Sequence, residues 1–271
     1  MDDLTAPFES FLIDDNITVT YYTQAIRKTP LTTPIANISY LIESNIYERR
    51  HENVFIVHDK GRIMDSLNVA LVHSILDNHN VNVFVVNWSK IAFLSYRAAA
   101  SAVPDVGNLV AKFIEELMSE YDLSPIRFRL IGHGMGAHIA GAAGKFLGGK
   151  VAVIIGLDPS GPLFTVSDTD SRLDPSDARF VAVIHTNSEL LGMHSSLGHA
   201  DYYVNSGVRQ PGCGPDVFGH CSHDRAYFYY AQTIEGFGYT SFICSNSTDF
   251  ECKKCFQNKQ SIMGGWCTDV T

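Results

Sequence analysis

Short apolar runs alternate with helix-forming segments from residue 53 to residue 186, and this alternation constrains the fold more than any other feature. The strand-like runs are apolar at consecutive positions, so we expect both of their faces to be buried. Helices between such strands predict a mostly parallel sheet with helices on both faces. In chain order we predict strands at 53–58 and 81–86, helices near 65–79 and through 106–121, a strand at 126–132, and strands ending at 158 and 186.

The first 45 residues have a different pattern. The segments "ITVTYYT" and "ISYLIE" alternate between apolar and polar residues, which predicts antiparallel strands at the edge of the sheet. The chain contains no internal repeat and no low-complexity tract. We therefore expect a single α/β domain over residues 1–271.

The charge balance bears on partners. The chain has 20 Lys and Arg against 29 Asp and Glu, for a formal net charge of −9. This charge repels phosphate backbones, so we expect no nucleic-acid partner. No apolar run is long enough to span a bilayer, so we expect no transmembrane segment. The start, "MDDLTAPFES", lacks the features of a signal peptide and fits a cytosolic chain or a mature one.

The six cysteines help to choose between these compartments. They cluster in the last part of the chain, as in a disulfide framework, which favours an oxidising, extracellular environment. The CxxC spacing of Cys252 and Cys255 also fits zinc or redox chemistry, but no second pair accompanies it, so we expect no metal and no cofactor. Sequons that fit glycosylation are found at Asn16, Asn37 and Asn246, whereas the one at Asn87 closes an apolar strand.

The segment "LIGHGMGAHIAGAAGK" (130–145) follows a predicted strand and opens a predicted helix. Gly132 and Gly136 lie two residues on either side of Gly134, which is typical of the sharp turn that presents a catalytic nucleophile. A phosphate-binding loop is the rival interpretation, but no Lys-Ser or Lys-Thr pair follows. The central position carries glycine instead of a nucleophile.

Further segments accompany this turn in a fixed order, namely "GLDPSGPLF", "RLDPSDARFVAVIHT", "GHADYYVNSG", "QPGCG" and "HCSHDRAYFYYAQTI". With them the chain resembles the pancreatic lipase family, and most closely its secreted insect branch, along nearly its whole length. The resemblance implies an α/β-hydrolase fold and a secreted, extracellular protein. It also implies one lipase-like domain without the family's C-terminal β-sandwich.

The family's Ser, Asp and His triad corresponds here to Gly134, Asp158 and His223. We expect Asp158 and His223 to lie within hydrogen-bonding distance, in a cleft at the carboxyl ends of the strands. Each also has a structural interpretation: Asp158 as a turn cap, and His223 as a residue at a helix entry. We interpret His185 and His199 as buried hydrogen-bonding residues.

The oxyanion motif is altered as well. The family's His-Gly-aromatic sequence corresponds to His58, Asp59 and Lys60, so an acidic side chain replaces glycine beside the place where negative charge develops. The backbone N–H of Met135 is the other donor that the resemblance implies. From the changes at 134 and 59–60 we predict that the chain is not an enzyme.

Three functions are compatible with these features. The leading hypothesis is an inactive lipase homologue that binds or stores a hydrophobic small molecule or lipid, as yolk proteins or carriers do, beside Lys60, Gly134, Asp158 and His223. The first alternative is a weak esterase or phospholipase that uses water activated by His223. The second is a purely structural or nutritive storage protein whose cleft is filled by aromatic side chains; the candidates are Phe164, Tyr202 and Tyr203.

The resemblance also implies how the cysteines pair. The family's disulfides suggest the pairs Cys213–Cys221 and Cys244–Cys255, with Cys252–Cys267 as the third. Only seven residues separate Cys213 from Cys221, where triacylglycerol lipases of the family carry a long lid. We therefore expect an uncovered cleft.

Overall fold

An eight-stranded sheet forms the centre of the computed structural model, which describes residues 16–61, 66–245 and 247–266. The strand order is β2-β1-β4-β3-β5-β6-β7-β8. The strands from β4 to β8 are parallel, and β1 pairs antiparallel with both β2 and β4. The strands are β1 Thr18–Tyr22, β2 Leu31–Pro34, β3 Glu52–Val57, β4 Val81–Asn87, β5 Phe128–His133, β6 Val153–Leu157, β7 Phe180–His185 and β8 Ala200–Tyr203.

Helices cover both faces of this sheet. They are α1 Ser39–Ser44, α2 Ser66–Asn78, α3 Ser89–Ala92, α4 Tyr96–Ser101, α5 Val103–Tyr121, α6 Met135–Phe146, α7 His220–Ile234 and α8 Ser247–Glu251. A separate two-stranded antiparallel sheet pairs β9 Tyr239–Phe242 with β10 Gln260–Met263. The predicted α/β-hydrolase architecture, a mostly parallel sheet between helices, is confirmed.

The two faces of the sheet explain the consecutive apolar runs. In β3, Phe55 and Val57 pack on the side of α5 and α6, whereas Val54 and Ile56 pack on the side of α2 and α7. Successive side chains of a strand point to opposite faces, so a strand covered on both sides is apolar throughout. The predicted central strands are therefore present.

Of the two predictions at the edge of the sheet, one is wrong and the other is confirmed only as an antiparallel strand. "ISYLIE" forms α1 instead of a strand; Asn37 Oδ1 accepts the N–H of Ser39 at 3.0 Å, and Asn45 ends the helix at φ 53°. "ITVTYYT" does form a strand, β1, but β2 lies outside it and is the true edge. The local side-chain hydrogen bond and the left-handed Asn45 outweigh the alternating pattern.

The asparagines of the glycosylation sequons differ in exposure. Asn37 is exposed and Asn16 is half-buried, while Asn246 lies outside the described residues. Asn87 ends β4, half-buried, with its side chain bonded to Ser89. Among the described helices, none has the length and apolar character needed to cross a membrane.

Parallel strands bring their carboxyl ends to one edge of the sheet. The ends of β3, β5, β6 and β7 lie side by side there, followed in the chain by His58, Gly134, Asp158 and Thr186. Open α/β sheets bind ligands at this edge.

Candidate active site

The turn at Gly134 joins β5 to α6 at very close range. Gly134 has φ 56° and ψ −119°, a left-handed conformation that glycine adopts without strain. A Cβ at Gly132 would lie 2.1 Å from the carbonyl oxygen of Gly136, and a Cβ at Gly136 would lie 2.2 Å from the carbonyl oxygen of Val57. The flanking glycines are therefore required by the approach of the helix to the strands.

Asp158 and His223 are brought together from β6 and α7. Nδ1 of His223 donates to Oδ2 of Asp158 at 2.6 Å, within the expected distance, and both side chains are buried. The other oxygen, Oδ1, accepts the backbone N–H groups of Thr186 and Asn187 at 2.7 and 2.9 Å. These bonds fix the carboxylate, and the carboxylate fixes the imidazole.

Asp59 occupies the space beside Gly134. A Cβ built at position 134 would lie 2.0 Å from Oδ1 of Asp59, so the carboxylate fills the volume that a side chain at the turn would use. Oδ1 accepts the N–H of Met135 at 2.7 Å, and Oδ2 lies 3.3 Å from Nε2 of His223. From the sequence, the N–H of Met135 was expected to bind a substrate oxyanion. In the structure, this N–H donates instead to the Asp59 carboxylate.

The charges of these groups depend on one another. Burial alone would lower the pKa of His223, but its hydrogen bonds to Asp158 and Asp59, and their charges, raise the pKa to about 10. Burial alone would raise the pKa of Asp59, but its contacts with His223 lower the pKa below its usual range. At neutral pH the site is an imidazolium between two carboxylates.

His133, the residue before Gly134, packs beneath this group. Its Nε2–H donates to the carbonyl oxygen of His223 at 3.1 Å, and burial lowers its pKa to about 4, so the ring is neutral. The sequence analysis missed this contact, although the position next to the turn was a usable signal. Ligand atoms of Asp59, His133 and His223 lie within 4.8 Å of one another, so these residues could hold a metal ion. The absence of a metal therefore stays a prediction.

An open cleft of about 700 Å³ lies above His223. Asp59, Ser160 and His223 contribute polar groups to it, whereas Tyr96 and Leu191 contribute apolar surface. Lys60 also lines the cleft, and its Nζ donates to the carbonyl oxygen of Ala92 at 3.2 Å. Lys60 and His223 of the predicted ligand site line the cleft directly; Gly134 and Asp158 lie behind Asp59 and His223.

The other singled-out residues lie elsewhere. His185 is buried and bonded to Met193 and Asp201, whereas His199 is exposed, contrary to the expectation, and accepts the N–H of Val181. The three aromatic residues proposed as cleft fillers do not line the cleft: Phe164 stacks on His138, Tyr203 stacks on His185, and Tyr202 is half-buried on β8.

Two of the implied disulfides are present, Cys213–Cys221 and Cys244–Cys255. The third stays a prediction: Cys252 is exposed and bonded to no described cysteine, and Cys267 lies outside the described residues. The Cys213–Cys221 loop directly precedes and enters α7. It therefore anchors the helix that carries His223.

Comparison with known proteins assigns the family. The family model described as Lipase matches residues 16–271. The chain belongs to the lipase family. It is 33% identical over 280 residues to pancreatic lipase-related protein 2 of Sus scrofa, with 92% of this chain and 59% of that protein covered. It is 34% identical over 248 residues to pancreatic triacylglycerol lipase of Homo sapiens, with 82% and 53% covered.

The chain thus spans between half and three-fifths of the length of these relatives. Among solved structures, a carboxylesterase from Mesorhizobium loti matches with a TM-score of 0.44 and 15% identity, covering 70% of this chain and 90% of that one.

The prediction that the chain is not an enzyme is wrong against this comparison, because the family model and the human relative are named as lipases. The structure gives a physical reason for the error. The prediction treated the missing side chain at Gly134 as a missing reactive group, but the Asp59 carboxylate occupies that space and contacts His223.

Proposed function

We propose that this chain binds a neutral lipid-class ligand in the cleft above His223 and acts on it there. The observation that carries the proposal is the open cleft of about 700 Å³ that His223 lines, with Asp158 bonded to His223 behind it. This volume is typical of small-molecule sites that combine apolar walls with a few polar groups. Membership of the lipase family supports a lipid as the ligand.

The surroundings of the cleft support an apolar ligand. Leu163 and Leu190 are next in sequence to the lining residues Pro162 and Leu191, and they are 52% and 48% exposed. Phe218, two residues before the lining residue His220, is 75% exposed. Exposed apolar side chains near a cleft favour contact with acyl chains.

The charges favour a neutral ligand. Two carboxylates, Asp59 and Asp158, face the imidazolium of His223, and the Lys60 ammonium lines the same cleft. Their formal charges cancel, so a free fatty-acid anion gains no net attraction while it loses its hydration. An uncharged ester or ether lipid avoids that desolvation.

Native mass spectrometry tests the proposal with methyl oleate and oleate as probes. We expect methyl oleate to bind more tightly than oleate, and Leu191→Arg to weaken its binding at least tenfold. Ile126→Arg is the matched control, because Ile126 is 46% exposed and precedes β5 at the opposite end of the strand. Absence of binding, or equal effects of the two variants, contradicts the proposal.

A carrier or storage role for the same ligand, as in yolk proteins, is the second candidate. It is favoured by the bond from Met135 N–H to Asp59, since this donor does not face a substrate carbonyl. Repeated recovery of one lipid by solvent extraction of the native protein supports this role; repeated recovery of protein free of lipid contradicts it.

We also infer an extracellular location and a place in the secreted insect branch. The disulfides support the location, because such bonds persist in oxidising compartments. The short loop between Cys213 and Cys221 supports the branch. Detection of the protein in medium, with a glycan on the exposed Asn37, tests the location.

A further inference from the structure

Asp59 brings an acidic side chain to the cleft, and its two oxygens differ in how well they are bonded. Oδ1 accepts the N–H of Met135 at 2.7 Å, a short bond typical of a charged acceptor. Within the described residues, Oδ2 has a single partner, Nε2 of His223, at 3.3 Å, which is long for such a bond. The side chain is 14% exposed and lines the cleft. A carboxylate has about four lone-pair positions, so Asp59 offers unused acceptor capacity to a ligand.

Three donor groups at or beside the cleft are already bonded within the protein. The N–H of Met135, at the start of α6, is held by the acidic side chain next to it. The Tyr96 hydroxyl donates to the carbonyl oxygen of Pro162 at 2.9 Å. Nζ of Lys60 donates to a backbone carbonyl at 3.2 Å. A ligand that only accepts hydrogen bonds must therefore compete with bonds that the protein already makes.

The start of α7, where His220 and His223 line the cleft, is capped in the same way. Asp216 accepts the N–H groups of Cys221 and Ser222 at 3.1 and 2.8 Å. Free N–H groups at the start of a helix bind anions and other acceptors. Carboxylates of the protein hold such groups at the starts of both α6 and α7. The unused group at the cleft is thus an acceptor.

We propose that the ligand of this cleft is a lipid with a free hydroxyl group, and that this hydroxyl donates to Oδ2 of Asp59. The inference rests on the lipid-binding function proposed above and specifies its ligand class. A hydroxyl is an uncharged donor, and the hydrocarbon chain attached to it can pack against the apolar wall at Leu191. Hydrogen bonds to a charged acceptor are stronger than bonds between neutral groups.

Other head groups match these contacts less well. A fatty-acid anion would add a carboxylate to a site that already holds Asp59 and Asp158. An alkylammonium group would pair with Asp59, but it would also meet the ammonium of Lys60, which lines the same cleft. An ester or ether oxygen only accepts, so it would displace water from Oδ2 without donating to it. An alcohol avoids each of these penalties.

The acceptor is held in place before a ligand arrives. The bond from Met135 fixes Oδ1, and a Cβ at position 134 would lie 2.0 Å from that oxygen, so glycine there is what leaves room for the carboxylate. A group whose position is fixed in advance loses little freedom when a ligand binds. The same two changes that distinguish positions 59 and 134 from the lipase motifs therefore create the hydroxyl site.

Native mass spectrometry with four ligands that share one hydrocarbon chain tests the inference. The ligands are oleyl alcohol, oleyl methyl ether, methyl oleate and oleylamine; in the ether, a methyl group replaces the hydrogen that the alcohol donates. We expect wild-type protein to bind oleyl alcohol on the order of tenfold more tightly than the ether or the ester, as for one hydrogen bond to a charged group. Equal binding of alcohol and ether, or tighter binding of oleylamine than of the alcohol, overturns the inference.

Asp59→Asn should remove the preference for the alcohol over the ether. The amide oxygen can keep the bond from Met135, so the NH₂ group takes the place of Oδ2 and donates to either ligand oxygen. Asp170→Asn is the matched control and should keep the preference, since its side chain is 95% exposed. The ratio of the two affinities is measured within one protein, so a general loss of binding does not imitate the effect. An unchanged ratio in Asp59→Asn contradicts the assignment of this residue.

Binding of methyl oleate separates this inference from the proposed function. If wild-type protein binds methyl oleate but does not distinguish oleyl alcohol from its ether, the hydroxyl site is refuted and the lipid-binding function stands. If it binds none of the four ligands, both are refuted.

Discussion

Oδ2 of Asp59 lies 3.3 Å from Nε2 of His223, on the opposite side of the imidazole from Asp158. This contact joins residues that are 164 positions apart and depends on glycine at 134, because a Cβ there would overlap the carboxylate. The site is therefore an acid–imidazolium–acid arrangement and not a triad with one member removed.

The protonation of His223 should control stability in alkaline solution. Its folded-state pKa of about 10 lies above the 6.5 of an ordinary histidine, so the proton stabilises the folded state. This contribution is complete below about pH 6.5 and is lost as pH rises through about 10. We expect the melting temperature to fall across this window.

Asp59→Asn should move that fall to lower pH, because one of the two carboxylates that hold the proton is gone. Calorimetry against pH, with NMR of the imidazole, measures the change. An unchanged His223 titration in the variant contradicts the ion-pair arrangement. Asp170→Asn should leave the profile unchanged.

The second prediction concerns glycine at 134. Gly134→Ala should lower the free energy of unfolding. We expect the loss to exceed the strain of about 1–3 kcal/mol that a left-handed backbone imposes, because the new Cβ also displaces Asp59. Gly214→Ala is the control, since its φ is 60° but no atom lies within 4 Å of the added Cβ. Urea unfolding measures both.

Asp59→Gly should restore the part of the free energy of unfolding that Gly134→Ala loses through overlap of its Cβ with Asp59. In Gly134→Ala combined with Asp59→Gly, the two effects on the free energy of unfolding should be non-additive, because the overlapping atoms are absent. Additive effects, or equal losses in Gly134→Ala and Gly214→Ala, would show that Asp59 does not occupy this space.

The central sheet could be predicted from sequence because burial of both faces makes β3 to β7 apolar at consecutive positions. The edges could not: β2 and β8 have four residues each and are partly exposed, so their sequences carry little pattern. Asp158 and His223 were found through family motifs. The contact of Asp59 with His223 was missed, because it depends on adjacent strand ends and on the empty space at Gly134.

The third prediction concerns Asp177, which packs under α6. Burial raises its pKa to about 7, and its Oδ1 has no hydrogen-bond partner. Because the folded pKa lies above the 3.8 of an ordinary aspartate, this group lowers stability as pH rises from about 4 to about 7.

Asp177→Asn should flatten this part of the pH profile and increase stability at pH 8 by about 1–3 kcal/mol, since a charge is no longer buried at an oxygen that has no hydrogen bond and whose ion-pair partner, Nζ of Lys145, lies 3.9 Å away. The amide keeps an acceptor for the N–H of Asp174, which bonds Oδ2 at 2.8 Å. Chemical denaturation of both proteins at pH 5 and pH 8 measures the change in stability. A loss of stability at both pH values would refute the prediction.

The fourth prediction concerns the third disulfide. If Cys252 and Cys267 pair, the native protein has no free thiol. Thiol titration under denaturing conditions, with peptide mapping, measures this. Alkylation of Cys252 in the unreduced protein would refute the pair.

The last prediction separates the two disulfides that the structure contains. Cys213–Cys221 joins residues 8 apart and Cys244–Cys255 joins residues 11 apart, so loop-closure entropy predicts a similar loss of about 2–3 kcal/mol when either is removed. Their positions differ, however. Cys221 lies in α7 two residues before His223, and Asp216 within the loop accepts the N–H groups of Cys221 and Ser222. Removing Cys213–Cys221 by paired Cys→Ala changes should therefore also weaken binding of methyl oleate, whereas removing Cys244–Cys255 should leave it unchanged. Equal binding by the two variants, measured at a temperature where both are folded, would show that the loop does not position His223.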